Sequence, residues 1–218
     1  MIREFGVVWA NVHLFVEGLM NTVVLSLVGA TTALVLGSFV AVLLMSSNRG
    51  VRLVSKGAVD LMRCVPFLML AYLVYYGLPS LGLNLDNWSA GLFAIIIYNT
   101  AYMAEIMRAI WSRLGRDTIE AATAFGFHGW RLYVRIIFPQ IFLAASPMVG
   151  NQLIQIIKDT AFLTIIAVPE LTHAASSIQA QYFVPFGAFI VAVFIYWALC
   201  MLVEAGVYAV ERLAEARR

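Results

Sequence analysis

The stretch LMNTVVLSLVGATTALVLGSFVAVLLM, residues 19–45, runs through the first quarter of the chain without a single charged side chain. A helix rises about 1.5 Å per residue and needs roughly 20 apolar residues to cross the ~30 Å hydrocarbon core of a bilayer. The stretch is long enough to do so, and it therefore predicts a transmembrane helix.

The composition extends this conclusion to the whole chain. Of its 218 residues, 62% are hydrophobic and only 12% are charged, and the mean hydropathy is +0.89. A soluble domain carries about 25% charged residues, so this chain has too few to cover a water-exposed surface. The class it indicates is an all-α polytopic membrane protein.

Four further apolar runs predict membrane spans, at about 59–78, 88–107, 141–168 and 186–210. With 19–45 they give five spans in a single transmembrane domain covering residues 1–218. The first 18 residues predict a short amphipathic lead-in at the membrane interface. An odd number of spans means that the two termini lie on opposite sides of the membrane.

The distribution of Lys and Arg predicts the orientation, because short cytoplasmic loops are enriched in these residues. Eleven lie in the segments that follow spans one, three and five, and only Arg3 lies on the other side. The eleven are Arg49, Arg52, Lys56, Arg108, Arg113, Arg116, Arg131, Arg135, Arg212, Arg217 and Arg218. We therefore expect an external N-terminus and a cytoplasmic C-terminus.

The first span carries small residues at every fourth position, at Gly29, Ala33, Gly37 and Ala41. Such a stripe lets another helix approach closely and predicts a packing seam. The chain shows no internal repeat, and five spans cannot divide into two equal halves. This argues against a transporter built from repeats within one chain and suggests a second subunit.

Residues 117–127, DTIEAATAFGF, predict a short helix in the loop 108–140 between spans three and four. Asp117 or Thr118 can cap its start, and Gly126 can end it because glycine adopts a left-handed backbone easily. Pro139 is expected to mark the entry to the next span. The small side chains of this short helix suit docking into a groove of another protein, and they equally suit a connecting helix on the membrane surface.

The same loop resembles the signature of permease subunits of importers driven by ATP-binding cassettes (ABC importers). That signature is EAA, three residues, Gly, nine residues, Ile, one residue and Leu-Pro. The chain has Phe138 where the signature has Leu. The matching residues are Glu120, Ala121, Ala122, Gly126, Ile136 and Pro139. In the family this helix inserts into a cleft of the ATPase, so the resemblance implies that Glu120, Ala121, Ala122 and Gly126 couple the two subunits.

Three other segments resemble the polar-amino-acid branch of these permeases: VDLMRCVPFLMLAYLVYYGLP, YNTAYMAEIMRAI and NQLIQIIKDTAFLTIIAVPELTHAA. The resemblance covers residues 15 to 210 and implies the transmembrane domain of a type I ABC importer. It also implies two ATPase copies that bind ATP and Mg, a second permease that is the same or a homologous chain, and an external solute-binding protein. The expected cargo is a polar amino acid, or a related solute such as an opine or an ectoine-like compound.

Asp159 and Lys158 are adjacent charges inside the fourth span, where an unpaired charge costs several kcal/mol. Helical neighbours point about 100° apart, so the two side chains are not expected to pair. Counting from Pro147 as the entry, Asp159 lies ~18 Å deep, near the midplane. Either residue can contact a substrate or stabilise a break in the helix, and an acid suits a substrate ammonium or guanidinium.

Span three carries four further polar candidates. Glu105 lies close to the cytoplasmic interface, where we expect an ion pair with Arg108, the alternative being a role in the inner substrate cavity. Tyr98, Asn99 and Thr100 lie near mid-membrane, where their polar groups can bond between helices or contact a ligand. In span four, Gln155 and Asn151 share one helix face. This face either lines a water-filled path or forms part of the subunit interface.

The remaining classes of function lack their signatures. The three histidines have no acid at metal-ligand spacing, no serine lies in a GxSxG elbow, and there is no phosphate-binding P-loop. An intramembrane enzyme or a channel is therefore a remote alternative, and we expect no catalytic residue, no metal and no ATP site in this chain. Membrane lipid and a small polar solute are the expected partners, and nucleic acid is not.

Overall fold

A computed structural model of the protein describes residues 2–113 and 116–215. Every regular element in these ranges is helical. The α-helices are α1 (Ile2–Ala10), α2 (Val12–Leu44), α3 (Arg49–Cys64), α4 (Phe67–Tyr72), α5 (Asn87–Trp111), α6 (Arg116–Ala124), α7 (Gly129–Leu132), α8 (Phe138–Asp159), α9 (Leu171–Tyr182) and α10 (Pro185–Glu215). π-helical turns at Leu73–Gly77 and Tyr133–Ile137, and 3₁₀ helices at Leu78–Leu81 and Thr160–Ile166, extend α4, α7 and α8.

Four helical segments within the described ranges are long and apolar enough to cross a membrane. They are Val12–Leu44, Asn87–Trp111, Gly129–Ile166 and Pro185–Val210. A fifth is reached if α3 and the helical segment Phe67–Leu81 form one broken span. The five predicted spans thus correspond to these five units, with differences at three boundaries.

The predicted span 59–78 is not one straight helix. Its helix breaks at Val65 and Pro66, where α3 and the segment Phe67–Leu81 meet at 101°. Proline lacks a backbone N–H and disfavours helical backbone in the residue before it. Val65 accordingly has extended backbone, with φ −84° and ψ 134°.

The fourth span also begins earlier than predicted. Helical backbone runs from Gly129 through Ile166, so Pro139 and Pro147 both lie within a continuous helical segment. A π-helical turn immediately precedes α8, in whose first turn Pro139 lies. Pro147 frees the carbonyl of Leu143, which accepts a 3.0 Å hydrogen bond from Ser146 Oγ instead.

The N-terminal segment is helical from Ile2, and α2 begins at Val12, seven residues before the predicted span. α1 is the predicted amphipathic lead-in, and it packs on α10. Glu4 accepts a 2.8 Å hydrogen bond from the Gly187 backbone N–H at the start of α10. The orientation argument also used Arg217 and Arg218, which lie outside the described residues.

The small-residue stripe on α2 packs against α5, as predicted. Ala33 and Ala41 are fully buried, and both glycines allow a close approach. A Cβ atom added at Gly29 would lie 2.5 Å from Ile95 Cγ2, and one at Gly37 would lie 2.6 Å from Met103 Cβ. The seam holds α5, with its polar residues, against the middle of α2.

Candidate functional site

The helix in the loop, α6, is ended by Gly126, as predicted. Gly126 has φ +85°, a left-handed conformation that glycine adopts without strain. The Phe127 N–H donates to the Ala122 carbonyl over 3.0 Å and closes the helix end. The predicted cap is wrong, because α6 begins at Arg116 and Asp117 and Thr118 are already helical. Asp117 lies in the first turn, where its negative charge interacts favourably with the helix dipole.

Among the described residues, much of the surface of α6 is exposed. Glu120 and Ala121 are exposed, whereas Ala122 faces inward and is 7% exposed. Just beyond the helix, Phe125 is 85% exposed and Trp130 is 71% exposed. An exposed acid beside two exposed aromatic rings forms a surface that another protein can cover.

Asp159 is the last residue of α8 and is 3% exposed. Its Oδ1 atom accepts a 2.8 Å hydrogen bond from Gln155 Nε2, and its Oδ2 atom is buried without a partner among the described residues. A carboxylate at a helix C-terminus is electrostatically unfavourable, so Asp159 does not serve as a cap. The unpartnered oxygen keeps its capacity to accept a hydrogen bond.

Aromatic side chains from three elements lie around this region. The Phe67 ring lies 5.3 Å from the Tyr98 ring and 6.4 Å from the ring of Phe162, three residues after Asp159. Tyr98 Oη lies 3.2 Å from Tyr102 Oη. The break at Pro66 therefore brings the start of α4 against α5 and the 3₁₀ segment that follows Asp159.

Arg63, near the end of α3, contacts Tyr102 of α5 through both its side chain and its backbone carbonyl. Its guanidinium lies 5.5 Å from the centre of the Tyr102 ring, and its carbonyl accepts a 3.3 Å hydrogen bond from Tyr102 Oη. Both contacts fix the end of α3 against α5, next to Tyr98. A cation over an aromatic face is worth about 0.5–1 kcal/mol at exposed sites.

The other candidates in span three have partners within the protein. Asn99 is fully buried, donates to the Ile95 carbonyl over 2.9 Å and accepts a 2.7 Å hydrogen bond from Gln152. Thr100 donates to its own helix, at the Ile96 carbonyl over 2.7 Å. Of their two possible roles, the structure favours bonding within and between helices, and their contact with a ligand stays a prediction.

The expected ion pair between Glu105 and Arg108 is confirmed. Arg108 Nε donates to Glu105 Oε2 over 2.8 Å, and Arg108 Nη2 donates to Oε1 over 2.6 Å. The side chains are about one-third exposed, so the pair contributes little stability. Its bidentate geometry nevertheless fixes the direction of both groups.

Lys158 is exposed and forms no ion pair with Asp159, as the helical geometry predicted. Asn151 and Gln155 are exposed on the same helix at spacings of seven and three residues from it. Asn151 and Glu204 of α10 also line a groove of about 460 Å³ between the two helices. One face of α8 is therefore polar and uncovered within the chain.

Sequence reasoning missed Glu170, which lies outside the spanning helices and is fully buried. It caps α9 by accepting from the Thr172 and His173 backbone N–H groups, over 2.8 and 2.6 Å, and it accepts from Tyr196 Oη over 2.7 Å. Burial raises the pKa of its carboxyl to about 7. The available signal was an acid directly before a helical run, after Pro169.

Two bonds from α2 hold the same loop. Asn21 Nδ2 donates to the Pro169 carbonyl over 2.9 Å, and the Leu171 N–H donates to Thr22 Oγ1 over 3.2 Å. Gly18 allows the close approach, because a Cβ there would lie 3.0 Å from the Glu170 carbonyl oxygen. Glu170 and its neighbours thus join α2, α9 and α10 at one end of the bundle.

Residues 33–215 match the family of binding-protein-dependent transport system inner membrane components. The chain belongs to this family. Its members are transport subunits, which agrees with the expectation that the chain is not an enzyme. Within the described residues, no group of three His, Cys, Asp or Glu side chains is arranged to hold a metal ion.

This permease resembles amino-acid permeases along almost its full length. It is 28% identical over 210 residues to the probable glutamine ABC transporter permease GlnM of Bacillus subtilis (strain 168), covering 96% of this chain and 97% of that protein. It is 31% identical over 191 residues to the histidine/lysine/arginine/ornithine permease HisQ of Salmonella typhimurium (strain LT2), covering 83% and 84%.

A solved structure of an amino acid ABC transporter with histidines has the same fold. It superposes with a TM-score of 0.83 at 30% identity, and the match covers 92% of this chain and 94% of the solved chain. The expected fold class, the transmembrane domain of a type I ABC importer, is confirmed.

Proposed function

We propose that this permease moves a polar amino acid, with a preference for a cationic side chain, into the cell by alternating access. Two ATPase copies would drive it, a second permease subunit would complete the pathway, and an external binding protein would deliver the solute. The N-terminus would lie outside and the C-terminus in the cytoplasm, as the distribution of Lys and Arg favours. The whole chain, residues 1–218, would form one domain.

The exposed surface of α6 supports coupling to the ATPase. Glu120, Ala121 and Phe125 face away from the chain, while Ala122 anchors the helix inward. A helix with small outward side chains can enter a cleft, and Gly126 turns the chain sharply behind it. ATP would bind between the partner subunits, and their closure would move α6.

The single observation that carries the substrate assignment is the buried, unpartnered Oδ2 atom of Asp159. Leaving such an oxygen unsatisfied is costly, and an ammonium or guanidinium group would satisfy it. Gln155 orients the carboxylate, and the rings of Tyr98 and Phe67 can enclose an aliphatic stem. HisQ and GlnM are named for cationic and neutral polar amino acids, which fits this chemistry.

The uncovered polar face of α8 supports a second permease subunit. Asn151, Gln155 and Lys158 would be expensive against lipid tails, as would Glu204 near them. A second subunit, or a watery path shared with it, removes that cost. Because the same chain could supply this surface, a homodimer satisfies the argument as well as a heterodimer does.

Transport then follows from differential affinity. The solute would bind to Asp159 in one state of the bundle and lose part of its contacts in the other. ATP binding would favour the outward-open state through α6, and hydrolysis would return the inward-open state. No chemistry on the solute is required of this chain.

Coupling is tested with the reconstituted complex. Gly126→Val should abolish stimulation of ATP turnover by the loaded binding protein, because valine disfavours φ +85° and would displace the chain behind α6. Gly57→Val is the control, since a Cβ at Gly57 meets nothing within 4 Å. Normal stimulation in the Gly126→Val complex would remove α6 from the coupling path.

The substrate assignment is tested by uptake of arginine and glutamine in the same complex. Asp159→Asn should raise the KM for arginine by about tenfold or more, since hydrogen bonds to charged groups contribute ~1.5–3 kcal/mol, and should affect glutamine less. Asp86→Asn is the control, because Asp86 is also an acid and asparagine caps α5 equally well. Unchanged arginine kinetics would exclude Asp159 from the site.

A further inference from the structure

A cavity of about 340 Å³ lies between the end of α2, α3 and the last turns of α5. Four cationic side chains line it, Arg49, Arg52, Lys56 and Arg108, together with two acids, Asp60 and Glu105. The four positive and two negative charges leave a net charge of +2. Of the transport-site candidates, only Glu105 lines this cavity, and its carboxylate is paired with Arg108; the face of α3 that lines it belongs to no site described above.

Internal pairing does not neutralise this excess charge. Arg108 is committed to Glu105 through both oxygens of that carboxylate. Arg52 uses one N–H, at Nη1, to bond the Ser46 carbonyl over 3.0 Å, which leaves its other donors available. Arg49 and Lys56 form no side-chain hydrogen bond or ion pair with the described residues.

The spacing of these cations makes the unpaired charge costly. Arg49, Arg52 and Lys56 are three and four residues apart, so they share one face of α3. Like charges at this spacing destabilise a helix by a few tenths of a kcal/mol for each pair. A bound anion offsets this repulsion, because each cation is attracted to it.

The apolar neighbours of the cavity indicate where the anion comes from. Leu53 lines the same cavity and is 68% exposed, and the next residue, Val54, is 74% exposed. A soluble anion would leave these side chains uncovered, whereas the acyl chains of a lipid would cover them. Basic pockets between membrane helices bind anionic lipid headgroups in this way.

We propose that this cavity binds the phosphate of an anionic phospholipid between α3 and α5, with Arg49, Arg52 and Lys56 as its ligands. The lipid's acyl chains lie along Leu53 and Val54. The single negative charge of the phosphate lowers the excess charge from +2 to +1, and the bound lipid holds α3 at the angle set by Pro66. The site requires only that the chain is embedded in a membrane, and it is independent of the proposed solute and of the ATPase.

The test is native mass spectrometry of the full-length chain, purified in detergent and mixed with phosphatidylglycerol or phosphatidylcholine. The wild-type chain should retain phosphatidylglycerol preferentially. Arg49→Gln/Arg52→Gln/Lys56→Gln should lose that preference by roughly fivefold for each cation removed. The matched control is Arg113→Gln/Arg131→Gln/Arg135→Gln, which removes the same charge from exposed residues elsewhere.

Equal retention of both lipids by the wild-type chain, or equal loss in both triple variants, would overturn the proposal. Displacement of phosphatidylglycerol by millimolar inorganic phosphate would also overturn it, because the site would then bind a soluble anion. Should the triple variant aggregate, Lys56→Gln alone must still lower the preference by about fivefold. Failure of the solute assignment leaves these outcomes unaffected, because no solute is present.

Discussion

Gln152 on α8 donates a 2.7 Å hydrogen bond to Oδ1 of Asn99 on α5, and Asn99 is fully buried. The Asn99 side chain also donates a hydrogen bond to the Ile95 carbonyl of its own helix over 2.9 Å. The bond fixes α8 against α5 seven residues before Asp159. The packing of these two helices therefore sets where the Asp159 carboxylate lies.

This bond should be measurable as a coupling energy. A double-mutant cycle with Asn99→Ala and Gln152→Ala, followed by unfolding in detergent, should give about 0.6–1.7 kcal/mol. The control is a second cycle that combines Thr100→Ala with Gln152→Ala. Thr100 bonds only its own helix, so its coupling energy with Gln152 should be near zero. Equal couplings in the two cycles would show that the 2.7 Å bond carries no specific energy.

The seam between α2 and α5 predicts a large effect of a small change. Gly37→Ala should destabilise the protein by about 1–3 kcal/mol, because the new methyl group would lie 2.6 Å from Met103 Cβ and 2.9 Å from the Ala104 backbone nitrogen. The measurement is the thermal midpoint of unfolding in detergent. Gly57→Ala has open space and should stabilise α3 by up to ~1 kcal/mol, so equal shifts of both variants would contradict close packing at Gly37.

The sequence predicted this seam and the end of α6 because both depend on local chemistry. Small residues at every fourth position form a stripe on any helix, and a glycine after a helical run can end it. The ion pair of Glu105 and Arg108 was predictable for the same reason, since residues three apart share a helix face. In each case the deciding atoms lie within a few residues of one another.

The differences arose where the backbone adjusts around a proline, or where distant residues supply the partners. We expected Pro139 or Pro147 to mark the entry to span four, yet helical backbone runs through both, since a π-helical turn precedes one and Ser146 bonds the carbonyl freed by the other. The buried role of Glu170 depends on Tyr196 and Thr22, which are far away in sequence. No pattern within a single segment indicates such partners.

Glu170 predicts a pH dependence of stability. Its carboxyl has a pKa of about 7 in the folded protein and an ordinary value of 4.5. Between these values the folded state binds more protons than the unfolded state, so stability falls as pH rises from about 4.5 to 7, on the order of 3 kcal/mol in total. Glu170→Gln should flatten thermal unfolding midpoints across this window.

His173 donates its backbone N–H to Glu170, and replacing its side chain therefore provides the matched control. The control variant His173→Gln should keep the decline in unfolding midpoint from pH 5 to pH 7.5. If His173→Gln flattens the profile and Glu170→Gln does not, Glu170 is not the group that sets the pH dependence. Glutamine at position 170 can still accept from the Thr172 and His173 backbone N–H groups, so α9 keeps its cap.

The conformation of Gly126 separates two explanations for the role in coupling that we propose for it. Its φ of +85° requires a left-handed backbone, and a Cβ atom there would meet nothing within 4 Å, so strain alone opposes substitution within the chain. Asparagine tolerates this region far better than β-branched residues do. Gly126→Asn should therefore retain most of the stimulated ATP turnover of the reconstituted complex, whereas Gly126→Val should lose it. If both variants lose turnover equally while remaining bound to the ATPase, the requirement is for space in the partner's cleft and not for the left-handed turn.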